Sequence, residues 1–329
     1  ALVLLMTPGL AFFYGGLVKR KNVLTIMMQS FISMGLVTVL WALFTFSLAF
    51  GTDVNGIIGG FDYVFMQGIG LEPSTTFGTT IPFAAFFVFQ MMFAIITPAL
   101  ITGAFTERMN FKSYLLFLLA WSVLVYAPLA HWVWGGGFIS KLGAIDFAGG
   151  TVVHISAGMG ALASVFVLGK RRDTSHLPHN ITHVALGAAL LWFGWYGFNA
   201  GSALAANGQA ALAFANTDIA ASVAMITWLL LSWFIDGRPS MVRALTGAVA
   251  ALVAITQGAG YVPLWASLII GAVACIGCFT AVKLRIKMGW YDALDVWGCH
   301  GVGGIIGSLI ARPLVSMFDF WVSLVLTFG

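Results

Sequence analysis

Two histidines sit within stretches apolar enough for a lipid bilayer: His154 in GGTVVHISAGMGALASVFVLG and His300 in DVWGCHGVGGIIGSLIA. A glycine follows each by four residues (Gly158, Gly304), and an aspartate stands shortly before each (Asp146, Asp295). An ionisable side chain at membrane depth is costly and usually faces a bundle interior or an aqueous path. Imidazole donates from one ring nitrogen and accepts at the other, so two neighbouring rings can share a hydrogen bond and a proton. Two such rings in matched settings predict one pore lined from two halves of a duplicated chain. A metal site would need further ligands than this pair, so metal is discounted.

Aromatic residues supply the next chemistry. AHWVWGGGFIS places Trp134 before three glycines, where the chain turns and leaves the ring near a surface. WFGWYGFNAGSALAAN places Phe198 and Ser202 near the end of another apolar run, and Phe89 and Phe93 share a helix face at i, i+4. Aromatic faces attract cations, tryptophan most strongly. The plainer explanation of any one ring is the aromatic belt of membrane proteins, and it is the default for His131 beside Trp132. Asp146, in GAIDFAGG, caps backbone donors or adds negative potential to an entry funnel; Asp295 is read as a helix cap. Asp218 has no sharp reading. His176, His179 and His183 have metal-like spacing but lie around a loop without cysteines or an acidic cluster, and Cys275, Cys278 and Cys299 read as packing.

The elements that position these residues follow from composition. The 329-residue chain is 60% hydrophobic and 8% charged, with a mean hydropathy of +0.98. A soluble domain averages about 25% charged residues, so this is a polytopic all-α membrane protein in a single domain. Its net charge of +4 does not point to nucleic acid, because the basic residues come in short clusters between apolar runs. Ten runs emerge, at about 1–18, 23–50, 80–105, 113–134, 149–169, 181–203, 212–235, 242–261, 264–283 and 294–311. After the odd-numbered runs come Lys19, Arg20, Lys21, Arg108, Lys112, Lys170, Arg171, Arg172, Arg238, Arg243, Lys283, Arg285 and Lys287; after the even-numbered ones come only Lys141 and Arg312. The positive-inside rule then places the odd-run loops in the cytoplasm and the N-terminus outside. Five spans per half make the two repeats, about 1–175 and 176–312, inverted, with His154 and His300 on equivalent helices. The apolar tail after Arg312 predicts the start of an eleventh helix, and both ends of the domain, 1–329, are expected to be incomplete. No span carries a central lysine for a retinal Schiff base, and HExxH, GxSxG and Walker A motifs are missing, so neither an enzyme nor a cofactor is implied.

The segments PGLAFFYGGLVKRKNVL, GAFTERMNF, AHWVWGGGF, GAIDFAGGTVVHI, GWYGFNAGSAL and DVWGCHGVGGIIG, in this order from residue 1 to about 311, resemble the ammonium transporter (Amt/Mep/Rh) family. The resemblance implies eleven helices in an inverted five-plus-five repeat, a homotrimer with one pore per subunit in the cell membrane, and ammonium or ammonia as substrate. It implies that His154 and His300 are twin pore histidines, that Phe93 and Phe198 form a phenyl gate, and that Trp134 and Ser202 recruit ammonium with Phe89 beside them. Asp146 matches an aspartate below that site. Trp134 and Ser202 together favour the Amt branch over Rh-like gas channels. A PII-type regulator at the basic face is the implied protein partner. Two departures stand out: Gln257 in TQGAGY where many members have proline, and Asp218 at a usually neutral position. A nutrient sensor built on the same fold is the rival from another class.

Overall fold

A computed structural model describes residues 1–171 and 178–328, with side chains through 317. Among the described residues, eight helices are long and apolar enough to cross a bilayer: Arg20–Phe50, Phe83–Phe105, Phe111–Lys141, Gly150–Leu168, Ile181–Ala203, Gly208–Asp236, Leu264–Lys287 and Trp297–Met317. Two shorter apolar helices, Leu2–Leu17 and Met241–Ile255, bring the series to the ten expected runs. In lipid every backbone group must be satisfied within the segment, which is why these runs are helical throughout. Asparagine side chains start several of them. Asn110 accepts from the Ser113 N–H at 2.9 Å, Asn180 from His183 at 3.0 Å and Asn207 from Ala210 at 3.0 Å.

The tenth helix corrects one expectation. The apolar pattern predicts an end near 311 and a new helix after Arg312. Instead Val302–Phe328 is one helix that passes through Pro313. No glycine or asparagine stands next to Arg312 to turn the chain, and proline is tolerated in membrane helices more readily than in soluble ones.

Among the described residues, four helices contain a π-helical turn, at Trp41–Thr45, Ser122–Tyr126, Gly150–Ile155 and Trp297–Gly301. The last two carry His154 and His300. An extra residue in a turn re-aims a side chain, and such turns recur at functional sites. The two histidine helices also cross closely. A Cβ on Gly158 would lie 2.2 Å from the Gly301 Cα, and one on Gly304 would lie 2.9 Å from the Gly150 carbonyl oxygen. The glycine four residues after each histidine is therefore the contact that lets the two helices meet. Between the second and third helices a short antiparallel hairpin, Asp53–Val54 with Ile58–Gly59, folds over one end of the bundle.

Candidate functional site

The predicted residues form a column. The Trp134 and Phe93 rings meet edge to face at 5.9 Å, and Phe89 meets Phe93 at 4.8 Å. Phe93 and Phe198 lie 4.3 Å apart. Phe198 is followed by His154 at 5.6 Å, and His154 by His300 at 5.2 Å, both nearly parallel. Phe93, Phe198, His154 and His300 are all buried. The two histidines face each other through Nδ1, 3.2 Å apart. One neutral ring then donates and the other accepts; the roles reverse when the shared proton shifts while the donating ring takes a proton at its Nε2 and the accepting ring gives up its own. His154 Nε2 has no partner among the described residues.

A cavity opens at each end of the column. One, of about 280 Å³, is lined by Phe89, Phe93, Trp134, Asp146 and Ser202, with Gln90 and Tyr261 besides. Its tryptophan is fixed: the indole N–H donates to the Asp146 carbonyl at 2.9 Å. Ser202 sits in the 3₁₀ turn Ala200–Ala203 and donates to the Phe198 carbonyl at 2.8 Å, which leaves its oxygen free to accept. The other cavity, of about 240 Å³, reaches His300 and is lined by Cys299, Asp295 and Arg285.

Asp146 does not point its carboxylate into the first cavity as a free anion. Its Oδ1 accepts from Gly149 and Gly150 at 2.8 and 2.7 Å, and its Oδ2 from Thr151 and Val152 at 2.9 and 3.0 Å. These are the orphan donors at the start of the His154 helix. Burial pushes this carboxyl up to about 6 while the four N–H groups pull it down.

The matching residue on the His300 helix is not Asp295. Asp292 accepts from the Trp297 N–H at 2.7 Å, and it stands eight residues before His300 as Asp146 stands eight before His154. Asp295 adopts a left-handed φ of 59° and pairs with Arg285. The cap falls where the helix begins, and closeness in sequence to the histidine is no guide to it.

Other expectations change in the same way. His131 is fully buried rather than at an interface. Its Nδ1 lies 3.0 Å from the Ala49 carbonyl and its Nε2 2.9 Å from Asp53 Oδ1, because the hairpin covers it. Lys141 completes the group at 2.6 Å from Asp53, and the Lys141 and His131 bonds hold the Asp53 carboxyl down to about 2. His179 and His183 meet edge to face at 6.3 Å, and no metal-holding cluster occurs among the described residues, outside which His176 lies. Asp218 accepts from the Tyr196 hydroxyl at 2.5 Å.

Trp195 and Gln90 also escape sequence reasoning, and Gln257 gains a role. Trp195 stacks on His154 at 5.3 Å, and its i, i+3 spacing from Phe198 is the available signal. Gln90 turns a buried Oε1, without a partner among the described residues, beside the Trp134 cavity. Gln257 braces the Asp146 turn, its side-chain amide donating to the Ile145 carbonyl and its main-chain carbonyl accepting from the Phe147 N–H at 3.0 Å.

A family model described as Ammonium Transporter Family matches residues 1–319. An ammonium transporter of Bacillus subtilis (strain 168) is 52% identical over 310 residues, covering 94% of this chain and 76% of that protein. The crystal structure of Candida albicans Mep2 superposes with a TM-score of 0.88 at 38% identity, covering 93% of this chain and 69% of that one. A solved Sensor Amt Protein gives a TM-score of 0.87 at 30% identity, covering 95% of this chain and 80% of that one.

Proposed function

This chain belongs to the ammonium transporter family, and from that premise we propose that it recruits ammonium at the Trp134 cavity, deprotonates it there and conducts ammonia past His154 and His300. It is a multi-pass membrane transporter and not an enzyme. The observation that carries the detailed reading is the unbroken column from Trp134 through Phe93, Phe198 and His154 to His300, with a cavity at each end.

Ammonium is mostly charged at neutral pH, and a bare charge enters an apolar pore only at great cost. Trp134 offers a cation–π face worth roughly 0.5–2 kcal/mol, and Ser202 a hydroxyl oxygen. Potassium has no protons to donate, so acceptors at this cavity favour ammonium. Phe93 and Phe198, 4.3 Å apart, close the column to water and hydrated ions. Ammonia then passes the histidine pair, and the proton that ammonium gave up follows it: His154 takes a proton at its Nε2, the shared proton shifts across the Nδ1–Nδ1 bond, and His300 releases its Nε2 proton toward the cavity beyond, so that the flux carries charge. The clusters of lysine and arginine support an N-terminus outside, in the cell membrane, and a basic cytoplasmic face that meets a PII-type partner. Assembly as a homotrimer with one pore per subunit is proposed with these.

The test is current through proteoliposomes holding the protein. A saturable current evoked by ammonium, not by potassium, and lost in the His154→Ala/His300→Ala double variant is expected. A pH change driven by ammonia without current would replace this reading with passive gas conduction. Ammonium binding without flux would favour sensing, the reading that the Sensor Amt neighbour brings forward.

A further inference from the structure

We propose that Thr256 is a positioning residue of the pore: its hydroxyl fixes Trp195, and Trp195 fixes the plane of His154. The inference rests on the transport reading above. Thr256 follows the eighth helix, Met241–Ile255, and is fully buried. Its Oγ1 accepts the Trp195 indole N–H at 2.8 Å and donates to the Leu252 carbonyl at 2.6 Å. Asn199 Oδ1 lies 3.1 Å from the same hydroxyl. The Asn199 amide donates to Thr217 Oγ1 at 2.9 Å, and Thr217 donates to the Ala213 carbonyl at 2.6 Å. Helices six, seven and eight are thus joined behind the pore by a chain of side chains no more than 1% exposed.

Indole has a single donor and no acceptor, so the group that takes this N–H decides which way a buried ring faces. The ring it fixes lies 23° from parallel to His154. A hydroxyl suits the place because it accepts from the indole while passing its own proton to a carbonyl. Valine fills the same volume but leaves the indole N–H buried without a partner, which is unfavourable. Turning the ring relieves that, and a turned ring no longer backs His154. The main chain at this position is pinned independently: the Thr256 carbonyl accepts from the Ala148 N–H at 3.2 Å. Thr256→Val therefore removes the hydroxyl and leaves the adjoining Asp146 turn in place.

The experiment compares Thr256→Val with Thr256→Ser by ammonium flux in proteoliposomes and by fluorine NMR of fluorotryptophan-labelled protein. The Trp195 resonance is assigned from its loss in Trp195→Phe. Thr256→Val is expected to lower maximal flux about tenfold, the scale of one buried hydrogen bond, with the half-saturating concentration unchanged. It should shift the Trp195 resonance, whereas Thr256→Ser restores both flux and resonance. Adding Trp195→Phe to Thr256→Val should cause little further loss, since both act through one ring. Full flux in Thr256→Val, equal impairment in Thr256→Ser, or an unmoved Trp195 resonance would overturn the assignment. Absence of ammonium flux in the unmodified protein would sink the transport reading instead, and the fluorine spectrum would still decide whether Thr256 holds Trp195.

Discussion

The His154 and His300 helices run the same device by different means. Each begins with a π-helical turn that carries its histidine, and each is capped by an aspartate eight residues earlier. At the Trp134 end, Asp146 spends both oxygens on four backbone N–H groups. At the Arg285 end, Asp292 takes the Trp297 N–H and leaves Oδ1 without a partner among the described residues. Arg285 and Arg108 lie near enough to lower the Asp292 carboxyl against burial, which raises it. One end is set by main-chain geometry, the other by a lattice of charges. Main-chain bonds fix a helix start rigidly next to the aromatic column. At the other mouth the cap stands beside the Arg285–Asp295 pair, which also lines the cavity there.

The sharpest way to break this comparison is to remove each cap. Asp146→Ala orphans four backbone donors, three of them buried, and should cost ~3 kcal/mol or more, with ammonium flux abolished; Asp292→Ala should cost ~1–2 kcal/mol. Thermal unfolding of the purified protein reads both, and equal losses would mean the two caps do the same work. Next come the crossing glycines. A Cβ at Gly158 meets the Gly301 Cα and N, both at 2.2 Å, and main chain cannot step aside. A Cβ at Gly304 meets the Ile155 Cγ1 at 2.8 Å and the Gly150 carbonyl at 2.9 Å, a smaller overlap than at Gly158. Gly158→Ala should therefore destabilise by about 2–3 kcal/mol and Gly304→Ala by about 1 kcal/mol. The reverse order, by the same assay, would show that the helices pivot about Gly304.

A smaller effect separates the cavities. Gln90→Leu removes the unpartnered acceptor beside Trp134, and should raise the half-saturating ammonium concentration about fivefold, near 1 kcal/mol, with maximal flux kept. Cys299→Ser, in the Arg285 cavity, should leave that concentration unchanged. Flux at a range of ammonium concentrations measures both. A shift in Cys299→Ser as large as that in Gln90→Leu would mean recognition is not confined to the Trp134 end.

The helices are legible in the sequence because lipid allows few alternatives: a long apolar run must satisfy its own backbone. His154, His300, Phe93, Phe198 and Trp134 are legible because each type is costly or distinctive where it stands. Legibility fails where the answer depends on where a helix begins. Closeness to His300 favours Asp295 over Asp292, but the Trp297 N–H fixes the cap. An interface suits His131 by its neighbours alone, because nothing local shows that residues 51–60 fold back and bring Asp53 to it. Gln90 and Thr256 are polar residues in apolar runs, and only the three-dimensional neighbours show that one faces a cavity and the other an indole.

The smallest expected effect concerns the ion pairs that flank the two mouths, and it has opposite signs. Asp53 at the Trp134 end is held down to about 2, first by Lys141 and then by His131. A carboxyl lowered on folding contributes stability above its ordinary value near 4, and that contribution fades as pH falls toward 2. Asp295 at the Arg285 end is pushed up to about 6 by burial, with Arg285 opposing. A carboxyl raised on folding contributes most below pH 4 and loses that contribution as pH rises through 6. Between pH 7 and 4, hydrogen exchange corrected for its intrinsic rate should therefore slow around residues 284–296 and stay level around 52–60. Below pH 4 exchange around 52–60 should quicken slightly while that around 284–296 holds. Slowing around residues 52–60 as well as around 284–296 between pH 7 and 4 would show that burial, rather than the Lys141 and His131 contacts, governs Asp53, and the contrast between the two mouths would then be confined to their caps.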